Sequence, residues 1–288
     1  MIGPGSASPA PAWQGLVDID WGGRPTRLEY AWLTPRRAAG TVPAAAAASP
    51  PLMVFLHEGL GSLAMWKDFP ARLCDALGWR GLVWSRPGYG RSTPRGAAES
   101  WAPDFMHRQA HEVLPALLRA LQVDAGLERP WLYGHSDGGS IALLHAARYP
   151  DQVGGLVVAA PHILVEPISL HSIARARDAY LQGDLRRSLA RYHDDPDSAF
   201  WGWNDVWLAP DFAGWRIDEQ IAGITCPLLA VQGVDDEYGT LEQVRGITRR
   251  VAHAELLELP DCGHSPHRDQ RERLIAAVCG FAARHTPG

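Results

Sequence analysis

Short apolar runs alternate along this chain with stretches whose apolar residues recur at helical spacing. Runs at 52–56, 81–84, 131–133, 156–160 and 228–231, resumed at 255–259, have the composition expected of parallel strands buried on both faces. Between them, 67–77 reads as a helix. So does 105–121, where Ala110, Val113, Leu114, Leu117 and Leu121 share a face and Pro115 should kink the helix or mark a late start. After residue 136, Ile141, Leu144 and Ala147 are spaced for one buried helical face, and 270–283 closes the chain with Leu274, Val278 and Phe281 facing in. Ahead of all this, Val17, Ile19 and Trp21 alternate with acidic residues, Gly22-Gly23 supplies a turn, and Leu28, Tyr30 and Trp32 alternate again. That predicts a half-buried β-hairpin.

Strands alternating with helices predict an α/β fold with a mostly parallel, doubly wound sheet, whose functional loops gather on the rim at the strand ends. The alternation fails between 162 and 225. This stretch is too long for a plain crossover and too apolar for disorder, with charged helical character over 174–192. A helical lid over the rim is the expected account. The predicted organisation is a disordered leader at 1–15, a core formed by 16–161 and 226–288, and a lid at 162–225. The low-complexity stretch 36–51 reads as a surface loop.

Trp131-Leu132-Tyr133-Gly134-His135-Ser136-Asp137-Gly138-Gly139 changes the picture from fold to chemistry. A serine between glycines, with a strand before it and a helix after, is the arrangement of a nucleophile elbow. A serine hydroxyl needs a general base at neutral pH. Two later strand ends supply partners in the order serine, acid, histidine: Gln232-Gly233-Val234-Asp235-Asp236 and Cys262-Gly263-His264. Spacing alone leaves Asp235 and Asp236 both open, with Asp236 preferred. The chain has 12 histidines, so a histidine by itself carries no signal. His264 is singled out by following a strand and a glycine near the C-terminus, with His267 as the fallback. Oxyanion donors are expected at the Asp137 amide and in His57-Glu58-Gly59-Leu60-Gly61-Ser62, at Gly59, with His57 supporting that loop. Glu58, His162, Trp203 and Trp207 are the candidate substrate contacts.

Composition narrows the partners. A net charge of −5 leaves no basic footprint for nucleic acid or an anionic membrane. No apolar run reaches transmembrane length and no secretory signal is visible at the N-terminus. Cys74, Cys226, Cys262 and Cys279 are widely spaced without a C-x-x-C pair, so neither a metal site nor a disulfide framework is expected and a cytoplasmic setting fits. No cofactor is implied, since no dinucleotide fingerprint follows the first parallel strand. The oligomeric state is not encoded in any pattern found.

From Leu52 onward the chain resembles the α/β-hydrolase superfamily. The resemblance is carried by His57-Glu58-Gly59-Leu60-Gly61, Ser85-Arg86-Pro87-Gly88-Tyr89-Gly90-Arg91-Ser92, Gly134-His135-Ser136-Asp137-Gly138-Gly139, Gly233-Val234-Asp235-Asp236 and Gly263-His264. It implies the lidded branch of esterases, lactonases and carbon–carbon bond hydrolases, and it supports Asp236, three residues after the strand-ending glycine. Dehalogenases and epoxide hydrolases of the superfamily carry an aspartate where this chain has Ser136. Two departures stand out: Glu58 replaces the usual glycine of the oxyanion loop, and Asp137 stands where carbon–carbon hydrolases commonly have an apolar residue. Asp137 is expected to cap the helix or to orient a polar or amine-bearing substrate. The leading expectation is a serine hydrolase of small esters; carbon–carbon cleavage by the same residues is the runner-up, and a non-catalytic binder on the same fold is the third reading.

Overall fold

The structure, a computed structural model, describes residues 13–36 and 49–286. Eight strands form one sheet: β1 (Trp13–Trp21), β2 (Arg24–Leu33), β3 (Leu52–Leu56), β4 (Arg80–Trp84), β5 (Trp131–His135), β6 (Gly155–Ala159), β7 (Leu228–Gly233) and β8 (Glu255–Leu259). Their order across the sheet is β1-β2-β4-β3-β5-β6-β7-β8, parallel from β4 to β8 and antiparallel at β1–β2 and β2–β4. The chain steps one way from β3 to β4 and the other way from β3 to β5. The crevice at this reversal, outside the carboxyl ends of β3 and β5, is where doubly wound sheets bind ligands.

The first strand starts earlier than expected. Residues 13–15, assigned to the leader, pair in register from Trp13 opposite Trp32, because β2 is long enough to partner them. Trp13 also packs on Tyr30, 5.2 Å between ring centroids. The rest of that leader and most of the 36–51 loop lie outside the described residues. Gly22 and Gly23, at φ +63° and +77°, make the two-residue hairpin turn that only such φ values close without splaying the strands.

Period-two burial splits the core. Leu52, Val54 and Leu56 face one cluster, and Met53 and Phe55 face the other. Onto the second face pack α1 (Phe69–Leu77) and the C-terminal α11 (Arg271–His285), through Phe69, Leu73, Leu274, Val278 and Phe281. The first face carries α2 (Phe105–Arg108), α3 (Leu114–Ala120), α5 (Asp137–Arg148) and α9 (Glu242–Arg250); the short α4 (Ala125–Glu128) precedes β5 and α10 (Pro266–Asp269) precedes α11. Pro115 falls in the first turn of α3, the late start of a helical run that begins at Phe105. A π-helical turn at Gln109–Val113 joins α2 to α3. Proline cannot donate an amide to the preceding turn, and two carbonyls there take side-chain donors instead: Ala110 O from His145 Nδ1 at 2.8 Å and His111 O from Tyr149 Oη at 3.0 Å.

Between β6 and β7 the chain forms α6 (Pro167–Gln182), α7 (Leu185–Leu189) and α8 (Pro196–Trp207). The first of these begins before the expected 174, with Pro167 in its first turn, where a missing amide costs nothing. Two backbone bonds, Ile217 N to Ile163 O at 2.8 Å and Val165 N to Trp215 O at 3.1 Å, close the two ends of this segment into a narrow neck.

Candidate active site

Ser136 sits at the join of β5 and α5 with φ +52° and ψ −122°, a conformation that costs a non-glycine residue about 1–3 kcal/mol. Packing holds it there. A Cβ on Gly134 would lie 2.3 Å from Gly138 O, and one on Gly138 would lie 2.1 Å from Leu56 O, so the turn closes only with glycine at both places. The result projects Ser136 Oγ over the crevice at the start of a 12-residue helix, whose dipole favours negative charge.

The loops after β7 and β8 bring two side chains to that hydroxyl. His264 Nε2 lies 2.9 Å from Ser136 Oγ, and His264 Nδ1 lies 2.8 and 2.9 Å from the two carboxylate oxygens of Asp236. Asp236 is buried and also accepts from Gln232 Nε2 (2.6 Å) and from the amides of Tyr238 (2.8 Å) and Gly239 (3.2 Å). Burial opposes its ionisation, but the charge and hydrogen bond of His264 and the Tyr238 amide hold its carboxyl below the usual range. The carboxylate accepts the hydrogen bond from Nδ1–H, which keeps the proton on Nδ1 and leaves the Nε2 lone pair facing the serine hydroxyl. Asp235 is exposed, its amide donates to Cys262 O, and its side chain makes no hydrogen bond to His264. His267 is packed against Trp66, Phe69 and His135, and burial lowers it to about 3; it is not brought to Ser136.

Burial also works against a charged His264, yet Asp236, then Glu237 and Glu58, raise it above the ordinary 6.5. A base must be neutral to accept a proton, so activity is lost as pH falls through this raised value. The acid limb of kcat/KM is therefore expected above 6.5, measured as a pH profile on an ester whose own ionisation is silent. A limb in the carboxylate range would count against His264 as the group that titrates.

The amides of Asp137 and Gly59 have no acceptor among the described residues. His57, fully buried, braces the loop that carries Gly59: its Nδ1 donates to Glu58 O at 2.7 Å while its Nε2 accepts from the Arg86 amide at 3.0 Å. Gly59 has no room for a side chain, since a Cβ there would meet the Trp203 indole at 2.2 Å.

Asp137 neither caps the helix nor meets solvent. No side-chain cap bond forms at this N-terminus, and the carboxylate is fully buried, 3.8 Å from the equally buried Arg86 guanidinium and accepting from Trp207 Nε1 at 3.2 Å. Burial pushes its carboxyl up; Arg86 and the Trp207 N–H pull against that. Its two oxygens face Trp207 Nε1 and Arg86, from the loop after β4, and accept from none of the free amides of the helix. Arg86 also donates to Glu58 O at 2.8 Å and lies over the Tyr89 ring.

A pocket of about 270 Å³ opens over Ser136 and His264, and Glu58, His162, Trp203 and Trp207 all line it. His162 lies edge-on to Trp207, 4.9 Å between centroids, and burial together with the neighbouring His264 lowers it to about 3. Trp203 and Trp207 are one helical turn apart on α8 and so share a face. The other rings of that segment pack inward or outward: Phe200 stacks on Tyr180 at 3.7 Å, Phe212 on Trp215 at 5.3 Å, and Trp201 lies under Arg177. Ile173, Glu237, Tyr238, Ser265 and Arg268 complete the wall and were not anticipated. Four of the five fall within four residues of Asp236 or His264, which was the available signal. No cluster able to hold a metal occurs among the described residues, no helix is long and apolar enough to cross a membrane, and the four cysteines are free.

A family model described as "Alpha/beta hydrolase family" matches residues 53–277. The 2-hydroxy-6-oxo-6-phenylhexa-2,4-dienoate hydrolase of Burkholderia cepacia is 21% identical over 252 residues, covering 77% of this chain and 85% of that protein. Among solved structures, a bacterial membrane phospholipase A superposes with TM-score 0.69 at 17% identity, over 94% of this chain and 86% of that one. A thermophilic esterase from Thermogutta terrifontis gives TM-score 0.66 at 19% identity, over 96% and 100% of the two chains. At these identities the structural likeness speaks for the fold.

Proposed function

The chain belongs to the α/β-hydrolase family, and from that premise we propose that it is a serine hydrolase cleaving small carboxylic esters through an acyl-enzyme. One observation carries the reading: the Ser136–His264–Asp236 chain of hydrogen bonds opens into a pocket beside two unused amides. Ser136 Oγ attacks the ester carbonyl carbon as His264 Nε2 takes its proton. The oxyanion is held by the amides of Asp137 and Gly59. His264 returns the proton to the departing alcohol, then deprotonates the water that releases the acid and restores Ser136. Helices α6–α8 act as the lid in this reading, with Trp203 and Trp207 as its inner face. Free cysteines, three of them buried, support a cytoplasmic setting.

At about 270 Å³ the pocket is below the usual range for drug-sized ligands, and its walls are aromatic. Short or flat esters fit such a space; long flexible acyl chains do not. The expected result is a kcat/KM maximum on phenyl, benzoyl or short-acyl esters in a profile that also contains long-acyl esters. Highest efficiency at about twelve acyl carbons would overturn the proposal.

Carbon–carbon cleavage by the same residues is the second reading, favoured by the Burkholderia cepacia relative. That relative's named substrate is a dienoate, a carboxylate, and the carboxylate of Glu58 in this pocket opposes such a charge. An inert binder on this fold would have no use for the three aligned side chains.

A further inference from the structure

Glu58 places a negative charge within the pocket, one residue before the Gly59 amide. We propose that Glu58 selects an ester bearing a positively charged amine, in its acyl or its alcohol part, whose ammonium pairs with the Glu58 carboxylate; this rests on the ester-hydrolase reading above.

Every other carboxylate around the site is already engaged. Asp236 is taken by His264, Gln232 and two amides, Asp137 is sealed behind the pocket with Arg86 and Trp207, and Glu237 accepts from the His264 amide at 3.1 Å. Glu58 keeps a quarter of its side chain exposed, and its nearest charged-pair partner is His135 Nδ1 at 3.5 Å, longer than a normal hydrogen bond. Arg86 donates to the Glu58 backbone carbonyl and makes no hydrogen bond to its carboxylate. Burial alone would favour the neutral acid, but His135, whose Nδ1 faces it, holds the carboxyl well below its usual range.

A carboxylate with no hydrogen-bond partner of ordinary length, placed beside a developing oxyanion, raises the barrier for any substrate that does not cancel it. A substrate ammonium cancels it in the ground state and more so as the oxyanion forms, which is the condition for faster turnover rather than tighter binding alone. The aromatic wall of Trp203, Trp207 and Tyr238 offers the faces on which an ammonium is also attracted. Arg268, exposed on α10, is the one cation on the lining, set against the two carboxylates Glu58 and Glu237.

The test compares near-isosteric 4-nitrophenyl esters of β-alanine (ammonium), butyrate (neutral) and succinate (anionic), with 2-aminoethyl and propyl benzoate probing the alcohol side. Wild-type kcat/KM is expected to favour the ammonium member of at least one pair by about ten- to a hundredfold, the size of a charge-assisted hydrogen bond. Succinate should be the poorest of its series. In Glu58→Gln that ammonium-to-neutral ratio should fall toward one, and Glu58→Asp should retain part of it. No ammonium preference in the wild type overturns the assignment even if the variants do not fold, and so does a ratio unchanged in Glu58→Gln. Turnover of the neutral esters without such a preference removes the charge assignment alone. Absence of turnover on every ester, with no fluorophosphonate adduct on Ser136, removes the ester-hydrolase reading and this inference with it.

Discussion

Replacing Ser136 with alanine is expected to lower ester turnover by about 10⁴–10⁶-fold while leaving the fold in place. Alanine keeps the Cβ, so the positive-φ turn bears the same strain as with serine, and the one hydrogen bond lost, to His264 Nε2, lies at the open pocket. What goes is the nucleophile. The amides of Gly59 and Asp137 and the pocket walls remain, so any residual rate measures what they contribute without covalent chemistry. Turnover, a thermal melt and mass mapping of a fluorophosphonate adduct in the wild type check this together. Retention of most of the rate by a folded variant would remove Ser136 from the mechanism.

Asp236→Asn should cost about 10⁴-fold, whereas Asp235→Asn should stay within a few-fold. The surroundings decide how an asparagine would sit. One oxygen of Asp236 accepts the amides of Tyr238 and Gly239, which demand an acceptor there. The amide NH₂ is thereby turned toward Gln232 Nε2, which now donates to the other oxygen, and toward His264 Nδ1, which now lies within hydrogen-bond reach of both oxygens. His264 would answer by moving its proton to Nε2, and a ring with a proton on Nε2 cannot accept one from Ser136. Steady-state kinetics on the two variants checks the pair; a reversed ranking would transfer the role to Asp235.

Most of the sheet was legible because buried parallel strands and helix faces write their burial into short apolar runs and a 3.6 period. The order of Ser136, Asp236 and His264 was legible too, because strand-end loops leave glycines and polar residues in fixed places. What sequence could not show depends on partners far along the chain. Asp137 looked like a helix cap until Arg86 and Trp207 were found against it, 51 and 70 residues away. The π turn before Pro115 depends on His145 and Tyr149 of another helix. Helix α6 starts at Pro167, ahead of the charged stretch from 174, because a proline in the first turn gives up no hydrogen bond and so permits a helix start there.

The neck at Ile163–Val165 and Trp215–Ile217 makes the segment between its ends a cassette. Both cuts fall outside the Ser136–His264–Asp236 line, so a foreign insert of another shape can be grafted there without severing the chemistry. The graft is not free of obligations, because several side chains inside the cassette hold the rim: Trp207 Nε1 donates to Asp137, His193 Nε2 to Leu60 O at 3.0 Å in the loop of Gly59, and Ser169 and Ser172 to the carbonyls of Tyr238 and Glu237 beside Asp236. An insert that keeps donors at those points inherits a working scaffold and brings its own choice of guest.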